Sequence, residues 1–252
     1  MKKVLVSGCN GHMGQILCRL IEKELDMIVI AGVDTNTAKS ENYPVASNFV
    51  DINKLVWQAA IDVIIDFSSP EATADLIAYA VCHKTPLVIA TTGISDKDVV
   101  LMRQAAKQIP IFYSANMSYD VCVLKRILEV AVPLLKGADI EISEAHHRRK
   151  ADSPSVTAKM LANAINELLN NEKEIVYGRE GKRELGEIGI SSIRGGNVCG
   201  THTVHFFGEN DILEIKHTAL SRDVFAEGAI RAARFLMEKG REPGLYTMDD
   251  LF

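Results

Sequence analysis

The chain has 252 residues, a formal net charge of −5, and a composition that is 47% hydrophobic and 24% charged. That length exceeds the ~100–200 residues of one ordinary domain, so one large or two modest domains with a full apolar core are expected. The acidic balance excludes a global field for nucleic acid, and the first apolar run stops at Gly8, too soon for a signal peptide or membrane span, so a cytoplasmic protein is expected.

Five cysteines (Cys9, Cys18, Cys82, Cys122, Cys199) form no C-x-x-C pair, which points to reduced thiols rather than a disulfide framework or a structural metal. Residues 3–7 read as a short apolar strand, and residues 11–24 place Met13, Ile16, Leu17, Leu20 and Ile21 at helical spacing. Between them lies Gly8-Cys9-Asn10-Gly11-His12-Met13-Gly14. A second strand at 27–33 leads into Asp34, twenty residues past Gly14, where a dinucleotide fold places the acid that binds the adenosine ribose hydroxyls. The glycine spacing is G-x-x-G-x-x-G rather than G-x-G-x-x-G, so the reading rests on strand, helix, strand and acid together.

Apolar strands at 63–67, 87–90 and 111–113 alternate with helices at 70–82 and 96–107, the pattern of a parallel sheet covered on both faces. Their carboxyl ends carry Ser68-Ser69, Thr91-Thr92-Gly93 and Ser114-Ala115-Asn116-Met117, small polar turns where an open parallel sheet binds its ligand. A long amphipathic helix at 119–135 then gives way to strict alternation at 139–144, a strand with one covered face. A helix at 156–169 and strands at 188–194, 202–207 and 212–217 suggest a second domain with an antiparallel or mixed sheet. A helix runs from 223 to 239, and a short polar tail ends the chain. The fold class is therefore α/β: a Rossmann-like dinucleotide-binding domain over 1–116, a smaller α+β domain over 117–221, and a C-terminal helix within 222–252 that returns to the nucleotide domain.

The chemistry concentrates in residues 144–157. Here His146, His147, Arg148, Arg149 and Lys150 put five groups that can carry a proton into an acidic protein, which suits an anionic small molecule. Ser155 reads as the N-cap of the next helix, so the amides of Val156 and Thr157 are expected to be unpaired and ready for a carboxylate or phosphate. Arg148 and Arg149 fit a satisfied structural role, an alternative that also stands for His147. His202 and His205 fall on opposite faces of one strand, which argues against a metal pair.

Gly8-x-x-Gly11-x-Met13-Gly14, Asp66-Phe67-Ser68, Thr91-Thr92-Gly93, Ala115-Asn116, Arg194 to Gly196 ahead of Gly200-x-His202-Thr203, and above all Glu144-Ala145-His146-His147-x-x-Lys150-x-Asp152-x-Pro154-Ser155-x-Thr157-Ala158 together resemble the 4-hydroxy-tetrahydrodipicolinate reductase (dihydrodipicolinate reductase) family over nearly the whole length. The resemblance implies hydride transfer from NADH or NADPH to C4 of a cyclic imine dicarboxylate with loss of water, in diaminopimelate and lysine biosynthesis. It implies His146 as proton donor and acceptor and Lys150 as proton donor, with His147, Ser155, Val156 and Thr157 holding a substrate carboxylate. The cofactor would contact Gly8, Cys9, Asn10, Gly11, His12, Met13, Asp34, Ala90, Thr91, Thr92, Ser114, Ala115, Asn116 and Met117. The same resemblance implies a homotetramer built on the second domain's sheet, with no nucleic-acid or membrane partner.

Three positions depart from the family's pattern: His12 where relatives carry arginine, Val156 in a glycine slot, and Thr201 in place of an acid. Two other readings stand beside this one. A different two-domain dehydrogenase, such as an aspartate or homoserine dehydrogenase relative, would share the opening without His-His-x-x-Lys. A nucleotide-sensing regulator would bind cofactor without turnover.

Overall fold

The computed structural model describes residues 1–37, 42–56 and 60–252, with the side chain of residue 53 left aside. The chain divides into two compact units, Met1–Ser118 with Arg222–Phe252, and Tyr119–Ser221.

The first unit opens with β1 (Lys2–Ser7), α1 (His12–Ile21) and β2 (Met27–Val33), followed by β3 (Val45–Ala46) and α2 (Phe49–Leu55). It continues through β4 (Val63–Asp66), α3 (Thr73–Cys82), β5 (Leu87–Ile89), α4 (Asp96–Ala105) and β6 (Pro110–Tyr113). The strands lie in the order β3-β2-β1-β4-β5-β6, all parallel, which is the doubly wound arrangement of a Rossmann sheet. Val4, Leu5 and Val6, the triplet 63–65, and the triplet 87–89 are each fully buried, as expected of strands covered on both faces. The order reverses between β1 and β4, so the loops after Ser7 and Asp66 open side by side at the carboxyl edge.

The second unit contains α5 (Tyr119–Leu134), β7 (Asp139–His146), α6 (Val156–Leu168), β8 (Glu174–Tyr177), β9 (Glu187–Arg194), β10 (Gly200–Phe207) and β11 (Ile212–Ala219). Its sheet runs β11-β10-β7-β9-β8 and is mixed, with β7 parallel to β9 and antiparallel to β10. Ile140, Ile142, Ile188, Ile190, Val204 and Phe206 point to one face, where Leu124, Leu128 and Val132 of α5 and Leu161 and Ile165 of α6 close the core. The period of two that buries these isoleucines carries on to the strand ends and turns Glu144 and His146 to the same face.

The chain then re-enters the first unit as α7 (Asp223–Leu236). Its Ala226, Ala229, Ala232 and Ala233 are fully buried, and the small side chains bring the helix close to β4, β5 and β6. The expected polar tail is instead structured: β12 (Gly244–Tyr246) pairs in parallel with β6 and extends the sheet to seven strands. Phe235 meets Phe112 and Tyr246 edge-on with ring centroids 6.1 and 5.2 Å apart, which fixes this edge strand against the helix.

Candidate active site

In the first unit the glycine loop is shaped by contact. Gly8 has φ +76°, and a Cβ there would lie 2.5 Å from the Phe67 carbonyl oxygen, while a Cβ on Gly14 would overlap the carbonyl of Gly8. Only glycine fits either place, and the close approach leaves backbone exposed to a ligand. The Asp34 carboxylate accepts the Asn10 amide at 2.9 Å and the Asn36 amide at 2.9 Å, tying the loop to the end of β2. A groove of about 310 Å³ lined by Gly8, Gly11, Asp34, Asn48, Phe67 and Ser69 follows this edge. These glycines, this acid and this groove fit the adenosine and pyrophosphate of a nicotinamide nucleotide.

The remaining cofactor candidates divide by accessibility. Cys9, Ala90, Thr91 and Met117 are buried, whereas His12, Thr92 and Ala115 are exposed and Asn10, Met13, Ser114 and Asn116 are half-buried. Thr91 donates its hydroxyl at 2.6 Å to Asp66, a carboxylate with no exposed surface that also accepts from Ser68 at 2.5 Å. Asp66 thus braces the loops beyond β4 and β5, a role its place in the Asp-Phe-Ser motif did not reveal. The Ser114 hydroxyl donates to the Asn116 carbonyl at 2.7 Å, so that turn is stiffened by its own polar groups. Lys39, the cation nearest Asp34 in the sequence, lies outside the described residues.

In the second unit the sequence candidates gather at the carboxyl end of the parallel pair β7 and β9. His146 and Arg194 are register partners, and Glu144 lies opposite His202 of β10. The Glu144 side chain is fully enclosed. Its carboxylate accepts from Arg194 twice, at 2.7 Å to each oxygen, from the Ser155 amide at 3.1 Å and from His146 Nδ1 at 2.6 Å. Burial acts to raise the Glu144 carboxyl, but the donors from Arg194, Ser192, His146 and Ser155 outweigh it and bring the value down to about 2. Glu144 is therefore an ionised, acceptor-only group, and His146 must present Nδ1–H to it.

His146 is itself lowered, first by burial and then by the charges of Lys150 and Arg194, against the raising effect of Glu144. His202 is brought down to about 4, mainly by burial and then by His146, whose ring it meets edge-on at 5.1 Å between centroids. Its Nε2 lies 3.0 Å from Ser155 Oγ, which also accepts the Ala158 amide as the N-cap of α6. A Cβ on Gly200 would stand 3.1 Å from His146 Nε2, so glycine keeps that nitrogen uncrowded. On the other face of the sheet, His205 is held by Ser143 at 2.8 Å and Glu214 at 2.7 Å, separate from His202.

The loop between β7 and α6 corrects one expectation. The Val156 amide was expected to be unpaired, yet its N–H is among the groups that hold down the Asp152 carboxyl, where burial opposes and the ion pair to Lys150 favours ionisation. Lys150 Nζ lies 2.8 Å from Asp152 Oδ1. The basic cluster thus carries its own counter-ion, a requirement for holding an ammonium partly buried that the sequence reading did not draw from Asp152. His147 is half-buried, Thr157 is buried, and Arg148 and Arg149 are exposed. Val156 is 53% exposed as the first residue of α6, so its β-branch costs the fold little there. Thr201 sits one position from His202 and pairs with Thr218 at 3.4 Å, on the sheet face away from Glu144.

The family model for dihydrodipicolinate reductase, N-terminus, matches residues 2–117, and that for dihydrodipicolinate reductase, C-terminus, matches residues 120–252. The chain belongs to the dihydrodipicolinate reductase family. It is 45% identical to the 4-hydroxy-tetrahydrodipicolinate reductase of Caldanaerobacter subterraneus subsp. tengcongensis, covering 100% of this chain and 98% of that one. It is 42% identical to the reductase of the same name from Clostridium tetani, covering 99% and 96%. A solved dihydrodipicolinate reductase from Paenisporosarcina sp. TG-14, described as dipicolinate-bound, shares the fold with a TM-score of 0.80 at 22% identity over all of both chains. Members of this family are oxidoreductases of the lysine and diaminopimelate route, and no helix among the described residues is long and apolar enough to cross a membrane.

Proposed function

We propose that the chain reduces 4-hydroxy-tetrahydrodipicolinate to tetrahydrodipicolinate with a nicotinamide nucleotide and loss of water. The observation that carries this reading is the His146 and Lys150 pair set at the end of β7 beside the start of α6, in a chain matched by family models across both halves. When bound, the nucleotide supplies hydride to C4 of the conjugated imine. Reduction leaves an electron-rich enamine that has to be protonated, and His146 is the group suited to give that proton near neutral pH. Lys150 draws in the dicarboxylate and assists the departing oxygen. His147, Ser155 and the amides of Val156 and Thr157 hold a substrate carboxylate, which exchanges with Asp152 at the helix start. Domain roles follow: residues 1–116 bind nucleotide, residues 117–221 bind substrate and assemble a homotetramer, and the segment 222–252 completes the nucleotide domain. A coupled assay with the synthase product and NADH tests the proposal: reduction supports it, and nucleotide binding without turnover would leave a regulator instead.

NADH is the expected preference, with NADPH as a weaker alternative. Asp34 can accept both adenosine ribose hydroxyls but repels a 2′-phosphate, and Thr35, Asn36 and Thr37 supply no compensating arginine. Measuring kcat/KM with each nucleotide checks this, and a tenfold preference for NADPH would refute it.

The glycine slot held by Val156 is expected to be tolerated. Position 156 needs only negative φ and an N–H, and the exposed isopropyl group can point away from the carboxylate. Val156→Gly should change substrate KM and pyridine-2,6-dicarboxylate affinity little. A gain of more than ~1.4 kcal/mol, a factor of ten, would mean that valine obstructs the site.

A further inference from the structure

Glu144 and Arg194 have no place in the reaction just described, yet they are the most completely engaged ion pair around His146. Glu144 Oε2 takes both Arg194 Nη1 and His146 Nδ1, and Oε1 takes Arg194 Nη2 and the Ser155 amide. Arg194 Nη2 also donates to the Asp152 carbonyl at 2.7 Å, so one guanidinium spans β7, β9 and the loop that carries Lys150. Because an ionised carboxylate can only accept, the His146 proton on this side sits on Nδ1 and the lone pair of the neutral ring sits on Nε2. Such a ring has no proton to give from the atom left facing outward. The proton must come from elsewhere.

The surrounding charges say when it arrives. Around His146 stand Glu144 on its own strand, Arg194 on β9, Lys150 in the following loop with Asp152 as its own ion-pair partner, and neutral His202 on β10, with uncharged Ser155 at the start of α6. The two anions are already matched by the two cations, so a charged imidazole would be a third cation with no counter-ion. A bound dicarboxylate brings two negative charges and removes that obstacle.

We infer, resting on the reductase reading, that Glu144 and Arg194 are a positioning pair that holds His146 as the neutral Nδ1–H tautomer, and that the proton His146 later delivers is taken from solvent onto Nε2 together with the substrate. The balance is complete: one proton leaves water for Nε2 on binding, and in turnover it passes from Nε2 to the substrate as one hydride is added and one water departs. The ring returns neutral, ready for the next dicarboxylate. Glu144 stays ionised throughout and never exchanges a proton with the substrate.

Two measurements on the unmodified protein test this without turnover. Ring ¹⁵N NMR of the free protein at neutral pH is expected to find His146 protonated on Nδ1 and bare on Nε2; a charged ring or the opposite tautomer would overturn the inference. Calorimetric titration with pyridine-2,6-dicarboxylate in buffers of different ionisation enthalpy is expected to show uptake approaching one proton per site, lost in His146→Gln; binding with no proton uptake would overturn it. If the analogue does not bind at all, the substrate reading fails while the NMR result still decides the tautomer. In Glu144→Gln the proton-donating limb of the kcat profile should move by about one pH unit or more toward acid, with a smaller change in analogue affinity. An unshifted profile in a folded variant would assign Glu144 a structural role only.

Discussion

Replacing His146 by glutamine, or Lys150 by alanine, is expected to lower kcat by about 10²–10⁴-fold each, the range typical of losing a positioned acid or base. Nucleotide affinity should change far less, because the proposed nucleotide contacts are the glycine loop and Asp34 rather than His146 or Lys150. The glutamine is chosen because its amide can still donate toward Glu144 while offering no exchangeable acid at the Nε2 position. Lys150→Ala removes both a charge for the dicarboxylate and the partner of Asp152, so KM for substrate should rise with the fall in kcat. Arg149→Ala serves as the comparison, since Arg149 is exposed, and should retain most of the activity. Steady-state kinetics with both substrates varied separates these outcomes, and near-normal turnover in either of the first two variants would refute the assigned roles.

Long periodic segments were legible in the sequence, and short ones were not. The strand over 27–33 and the helix starts at 96, 156 and 223 follow from apolar spacing and capping residues such as Ser95 and Ser155, whose hydroxyls accept the Asp98 and Ala158 amides. Val45–Ala46, Gly244–Tyr246 and Glu174–Tyr177 are two to four residues long, too few for a period to show, and are strands because a neighbouring strand offers them hydrogen bonds. Phe49–Leu55 is one short helix whose clearest signal, Asn48 accepting the Asp51 amide at 2.9 Å, is a common turn pattern as well. In the site, the basic run from His146 to Lys150 stood out by residue type, while the separate roles proposed for His146 and Lys150 came from the resemblance to the family. Arg194 could be tied to Glu144 only by the parallel register of β7 and β9, strands separated in the chain by a helix and another strand. Glu144 itself was within reach: the alternation Ile140, Ile142, Glu144, His146 already placed it on the enclosed face, where a carboxylate demands partners.

Arg194→Met is expected to destabilise the protein by about 3–5 kcal/mol at neutral pH, because it strands a fully enclosed carboxylate without its counter-charge. The pair itself need contribute little net stability, since taking both charges out of water offsets much of their attraction; the loss arises from leaving Glu144 alone. Hence Arg194→Met combined with Glu144→Gln should cost less than Arg194→Met by itself, a departure from additivity that only directly coupled residues show. Lysine at 194 keeps the charge but cannot form the two-pronged contact with both oxygens, so Arg194→Lys should fall between the parent and Arg194→Met. The pH dependence has a fixed sign. Glu144 falls from the ordinary 4.5 to about 2 on folding, so its contribution is complete above about 4.5 and is lost as pH falls from there toward 2. Without the guanidinium, burial acts on the carboxyl with much less opposition, so the variant gives up less stability than the parent over that range. The difference in unfolding free energy between parent and Arg194→Met, measured by urea titration, should therefore shrink steadily on acidification below about pH 4.5. A difference that stayed constant down to pH 3, or a double variant as unstable as the sum of its parts, would show that Arg194 stabilises the fold by some route other than the charge of Glu144.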